Sequence, residues 1–183
     1  MNWKLVELRQ YVSLTQGLAI NAGTAHLVSD VKSDIFSYPL LRIADMMEGQ
    51  YEKFVSKNVQ PNVVAKPTDI IYTRTGQIGL AFTGKSGVVH NNSFIVKVIK
   101  EELLPEYLYV VLQSDFVRNQ ALSFAKNSVQ PDLTHDMFKA IKIPLPTIDV
   151  QNRIASVYDS LTKKINANIK VNNNLAHQEF MVA

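Results

Sequence analysis

From Ile148 to Phe180 the chain runs 33 residues without a glycine or a proline. Nothing there interrupts a helix. At ~1.5 Å per residue such a helix extends about 50 Å, longer than an average globular domain uses. One seam, Ile154, Tyr158, Leu161, Ile165, Asn168, Asn172 and Leu175, alternates spacings of four and three, the period of a coiled coil. A lone helix cannot bury that stripe, and packing along its own domain would leave most of it uncovered. The sequence therefore predicts a second helix against it, with Asn168 and Asn172 fixing register at some cost in stability. It also predicts two parts, a globular domain over 1–147 and a helical one over 148–183.

The rest of the 183 residues suffices for one ordinary domain. There are no cysteines, so disulfides, thiolate zinc sites and cysteine nucleophiles are excluded. The N-terminus lacks the apolar run of a signal peptide, and no stretch reaches the ~18 apolar residues of a membrane span. A cytoplasmic protein is the expectation.

Within 1–147 the patterning is mixed. Apolar Leu5, Leu8, Tyr11 and Val12 predict a helix over 3–16, stopped by Gly17. Residues 18–34 read as a loop with one short strand, and Tyr38–Ile43 as a strand. From residue 63 the signal is β: Val63–Ala65, Ile70–Thr73, Leu80–Phe82 and the alternating Ser93–Ile99 are separated by glycine turns. A curled, mostly antiparallel sheet fits. Pro105 and Glu106 suit a helix start, and the amphipathic pattern continues to Phe124. Thr134 can cap a short helix to Lys139, and Ile141–Ile143 is a strand that Pro144 and Pro146 end. The fold class is α+β, a β-rich domain with flanking helices and one long C-terminal helix.

The net charge is +3 and the pI about 9.0, too little to name a partner. Between residues 53 and 100, however, Lys53, Lys57, Lys66, Arg74, Lys85, Lys97 and Lys100 face one acid, Asp69. A basic surface fit for phosphates is expected there. Taken alone, the turn Thr73-Arg74-Thr75-Gly76-Gln77 reads more readily as a solvated hairpin connection than as a binding loop. His26, His90, His135 and His177 share no metal-ligand spacing. Asp30/Asp34 and Glu101/Glu102 suit loops or helix starts. Gly76–Gly79 lacks the Gly-Lys-Ser/Thr ending of a phosphate loop, so no nucleotide site is supported. Arg42 reads as an ion-pair partner of Asp45.

Five motifs, in order, carry a resemblance. They are Trp3-Lys4-Leu5 with Leu8 and Gly17; Leu41-Arg42-Ile43-Ala44-Asp45; Asp69-Ile70-Ile71-Tyr72-Thr73-Arg74-Thr75-Gly76-Gln77-Ile78-Gly79; Pro105-Glu106-Tyr107-Leu108-Tyr109; and Ile141-Lys142-Ile143-Pro144-Leu145-Pro146 leading to Gln151-Asn152-Arg153-Ile154. Each is weak alone; together, in this order, they resemble the specificity subunit of type I restriction-modification systems. The chain looks like a half-subunit, with one recognition domain and one helix where family members usually have two of each. It departs from the usual pattern at Thr68, commonly glycine, and around Asn127-Ser128-Val129, where a glycine is missing.

The resemblance implies a non-catalytic reader of double-stranded DNA. Thr73, Arg74, Thr75 and Gln77 become candidate contacts, since arginine can pair with guanine and glutamine with adenine. Lys85 with Asn91 and Asn92 forms a second candidate edge, and Lys126, Asn127 and Gln130 a third. It implies partners: methyltransferase subunits using S-adenosylmethionine to methylate adenine, and restriction-translocase subunits using ATP and magnesium. None of these cofactors belongs to this chain. It implies too that two such helices pair antiparallel, so a homodimer would read a split palindrome with half-sites on the order of 15 base pairs apart. The rival readings are an assembly scaffold that does not read DNA and a fragment of a DNA-modifying enzyme.

Overall fold

The computed structural model describes residues 3–126 and 131–181, with side chains to residue 173. The chain is α+β. It begins with β1 (Leu5–Glu7), β2 (Val12–Gln16), β3 (Val28–Ser29) and β4 (Phe36–Leu41), then a short helix α1 (Ile43–Glu48). There follow β5 (Phe54–Ser56), β6 (Val64–Ala65), β7 (Ile70–Thr73), β8 (Ala81–Phe82), β9 (Gly87–Val89) and β10 (Ser93–Val98). The second half holds α2 (Pro105–Leu112), α3 (Asp115–Ala125), α4 (His135–Ala140), β11 (Lys142–Pro144) and α5 (Ile148–Met181).

Among the described residues the strands form three sheets. β2-β10-β7-β8 is antiparallel throughout, and β3-β5-β4-β9-β6 has β4 and β9 parallel. β1 pairs with β11, tying the start of the domain to its end. Period-two alternation places the two faces of the central strands in different cores. Ile70, Tyr72, Phe94 and Val96 meet Leu108, Leu112, Val117, Ala121 and Phe138 on the helical side. Ile71 and Ile95 point the other way, against Leu41, Ala65 and Val89 of the second sheet.

Two local expectations change. The helix predicted over 3–16 is instead β1, one 3-10 turn (Leu8–Gln10) and β2. Val6, Leu8 and Val12 are buried either way, so their spacing could not separate the two, and β-branched Val6, Val12 and Thr15 favour strands. Gly17 stops no helix: a Cβ there would lie 2.4 Å from the carbonyl oxygens of Val89 and His90. The single helix predicted from Pro105 to Phe124 is two. It breaks at Ser114, whose hydroxyl accepts from the Val117 N–H and restarts the chain as α3. Pro105 and Thr134 start α2 and α4 as expected. Arg42 grips Asp45 through Nε and Nη2 at 2.6 and 2.7 Å and reaches Glu52 at 2.9 Å.

The long helix is present, but its seam divides. Ile154 packs against the main core of its own domain. Tyr158 meets Tyr109 edge-on at 6.0 Å and donates its hydroxyl proton to Gln113 Oε1 at 3.0 Å. These two positions, expected to face a second chain, are taken up within the fold. Gln151, three residues before Ile154, is fully buried. Its Nε2 donates to the carbonyls of Glu102 and Pro146 at 2.8 and 2.9 Å, and its Oε1 accepts from the Leu104 N–H at 2.9 Å. Beyond Tyr158, Leu161 and Ile165 are 54% and 57% exposed, and Val157, Ile169 and Val171 are similarly open. Asn168 and Asn172 are exposed as well. Leu175 lies outside the residues whose side chains are described. No helix, among the described residues, is long and apolar enough to cross a membrane.

Candidate nucleic-acid interface

Antiparallel pairing of β10 with β7 sets Ser93 opposite Thr73, so the turn entering β10 lies beside the turn leaving β7. The Arg74 and Thr75 N–H groups donate to the Asn92 carbonyl at 2.8 and 3.3 Å. A third segment joins them: the Leu133 N–H donates to the Arg74 carbonyl at 3.0 Å, and Thr75 bridges Asp132. Turns 74–79, 90–92 and 131–134 thus form one edge of the domain. Thr75, Gly76, Gln77, Asn91 and Asn92 all lie on it. Lys126 is the C-cap of α3, while Asn127 and Gln130 lie outside the described residues.

Two glycines shape the tip. Gly76 has φ 73° with open space around it, and Gly79 has φ 95° with its missing Cβ site 2.9 Å from Arg118 Cγ. Both backbones are left-handed, which glycine adopts without strain. Gln77 between them is exposed, as is Arg118. Arg118 was not singled out from the sequence because it sits inside a helical pattern; only the fold brings it to this turn.

Three sequence candidates are placed differently. Thr73 is fully buried; its hydroxyl donates to the Gln77 carbonyl and accepts from the Leu80 N–H, closing the turn from inside. Arg74 turns inward, its side chain 14% exposed. Lys85 sits on the turn after β8, where Thr83 and Gly84 bond to the Pro67 carbonyl, at the end of β7 opposite Thr73. Three of the seven basic residues between 53 and 100 are paired. Lys53 pairs with Asp30 at 2.6 Å, Arg74 with Asp132, and Lys97 lies 4.0 Å from Asp69. Two of these acids, Asp30 and Asp132, lie outside that stretch of sequence, where a linear window could not see them. Among the described residues no group of three or more histidines, aspartates and glutamates could hold a metal ion.

His135 lies beneath this edge, 4.7 Å from the Phe94 ring in edge-on contact, with Nε2 buried and unpaired. Burial, helped by Lys139 and Arg74 and opposed by Asp136, holds its pKa below the ordinary 6.5. His90 is lowered too, first by burial, against a hydrogen bond with Asn92. The unfolded chain takes up these protons first, so stability is kept above 6.5 and falls as pH drops below it. Replacing His135 with Phe keeps the ring contact and removes the proton site. We expect the difference in Tm between about pH 7.5 and about pH 5.5 to shrink in that variant. An unchanged difference would show that His135 contributes nothing to it.

The family model described as the type I restriction modification DNA specificity domain matches residues 2–176. The chain belongs to this family. The specificity domain is 30% identical over 144 residues to the type I restriction enzyme MjaVIII specificity subunit of Methanocaldococcus jannaschii, covering 74% of this chain and 32% of that one. With the MjaIX specificity subunit of the same organism it shares 26% identity over 124 residues, 68% of this chain and 28% of that one. It therefore spans about a third of the length of these relatives. Its fold is similar to the crystal structure of the HsdS subunit from Thermoanaerobacter tengcongensis, with TM-score 0.65 and 16% identity over 90% of this chain and 38% of that one. It is also similar to the type I restriction-modification S subunit from M. genitalium, with TM-score 0.64 and 15% identity over 94% of this chain and 43% of that one.

Proposed function

We propose that this specificity domain reads one half of a bipartite duplex DNA target, performs no chemistry itself and recruits methyltransferase and restriction subunits to the site. The carrying observation is the three-turn edge, which joins exposed Gln77 and the polar Thr75, Asn91 and Asn92 on a backbone fixed by cross-turn hydrogen bonds. Amide side chains of this kind read adenine in the major groove, while the exposed Lys126 and Arg118 would hold phosphates. S-adenosylmethionine, ATP and magnesium would belong to the recruited subunits.

Two copies pair antiparallel through α5 beyond Tyr158, covering Leu161 and Ile165; each buried side chain of that size contributes about 1.5–3 kcal/mol. Because Ile154 and Tyr158 are used by the head, residues 159–181 alone separate the two heads. They rise about 35 Å, which is on the order of 10 base pairs, shorter than the whole helix suggests. The test is selection from a randomised duplex pool by the chain with its methyltransferase subunits. We expect an inverted repeat with an unread spacer, and a dimer in sedimentation. A single unsplit site, or no enrichment, would refute this reading.

A further inference from the structure

In the turn that carries the reading residues, Arg74 faces the protein. Its Nε donates to the Leu133 carbonyl and its Nη1 to the Asn91 carbonyl, both at 3.3 Å, while Nη2 pairs with the Asp132 carboxylate. The guanidinium carbon lies 5.5 Å from the centroid of the Phe94 ring, over its face. One side chain thus touches all three turns of the edge, from partners 17 and 59 residues away in sequence. A planar fork with donors on three nitrogens can do this; a lysine ammonium, a single point on a flexible stem, cannot.

We propose that Arg74 is a positioning residue for sequence reading: it locks turns 74–79, 90–92 and 131–134 into one fixed surface from which its neighbours contact the bases. The inference rests on the DNA-reading function proposed above and specifies how that edge discriminates. A reader must hold its donors within tenths of an ångström of the base edges, and three turns moving independently cannot. Asp132 matters equally, because removing it takes away the partner that aims the guanidinium.

The test uses the duplex enriched by the wild-type chain and a scrambled duplex of the same composition, with methyltransferase subunits present. Arg74→Ala, Arg74→Lys, Asp132→Ala and the Arg74→Ala/Asp132→Ala double variant are compared over a range of salt. We expect each single change to lower the preference for the enriched duplex by roughly tenfold, and the double variant to lose no more than either single one. The dependence of affinity on salt should stay as in wild type, because no phosphate contact is lost. A salt slope reduced by about one in Arg74→Ala, with full preference kept in Asp132→Ala, would make Arg74 a direct contact and overturn the proposal. Additive losses would overturn it as well. Amide hydrogen exchange of the free chain gives a readout that needs no DNA: Thr75 and Leu133 should lose protection in Asp132→Ala while β7 and β10 keep theirs. Retained protection would contradict the lock even if the DNA-reading function stood, and a wild type without preference would refute that function while leaving the exchange result to judge the lock.

Discussion

Replacing Gln151 with Leu should lower stability by roughly 3 kcal/mol, the largest effect we expect from a single side chain. Leucine is similar in size and strips the buried site of three hydrogen bonds at once. The Leu104 N–H and the carbonyls of Glu102 and Pro146 lose their partner. Unsatisfied buried groups cost about 1–3 kcal/mol each, the donor more than a carbonyl that can relax toward solvent. For a chain of this size, that loss corresponds to a fall in Tm of roughly 10 °C. Gln151→Glu should fall nearly as far, since a carboxylate can accept from Leu104 but cannot donate to two carbonyls. Asn152→Leu, one residue on and exposed, is the control and should change little. A Tm change in Gln151→Leu no larger than in the control would show that the glutamine does not anchor the helix. The consequence goes beyond stability: with Ile154 and Tyr158, Gln151 fixes the direction in which α5 leaves the head.

That anchor was visible in the sequence only as part of a motif. Nothing in the periodicity marks Gln151, because a glutamine in a helix is ordinarily a solvent-facing residue, and only the loop at 102–104 folding over it makes it a core side chain. Ile154 and Tyr158 matched the coiled-coil period so well that they read as interface. A stripe of correct spacing says that a partner exists without saying which, and here the domain supplies it for three turns and leaves Leu161 and Ile165 open. The alternating strand Ser93–Val98, the Pro105 helix start, the Thr134 cap and the Arg42–Asp45 pair were legible because local chemistry alone decides them. The edge formed by the three turns was legible in part. Gln77, Thr75, Asn91 and Asn92 were named from the sequence, but Arg74 could not be told from a solvent-facing arginine before Asp132, some sixty residues on, was seen to hold it. Lys85 was grouped with them because the turns alternate along the chain, whereas consecutive turns of an antiparallel sheet fall at opposite ends.

Duplicating residues 161–167 should widen the spacer between half-sites by about three base pairs, since seven residues add ~10.5 Å of helix against ~3.4 Å per base pair. The duplication repeats Leu161 and Ile165 at their own spacing, so the seam continues in register. It touches neither the three-turn edge nor Gln151, so the bases read in each half should not change. The effect is qualitative in the sense that matters: a different set of duplexes is bound, with the same half-sites at a new separation. A rigid head on a rigid rod requires it, and a rod that merely tethers two heads does not, because a flexible tether tolerates a range of separations before and after. The duplex selection, repeated with this variant, is therefore the most direct measurement. Identical half-sites about three base pairs farther apart are the predicted outcome; an unchanged spacer, or a spread of spacers in either protein, would contradict the account.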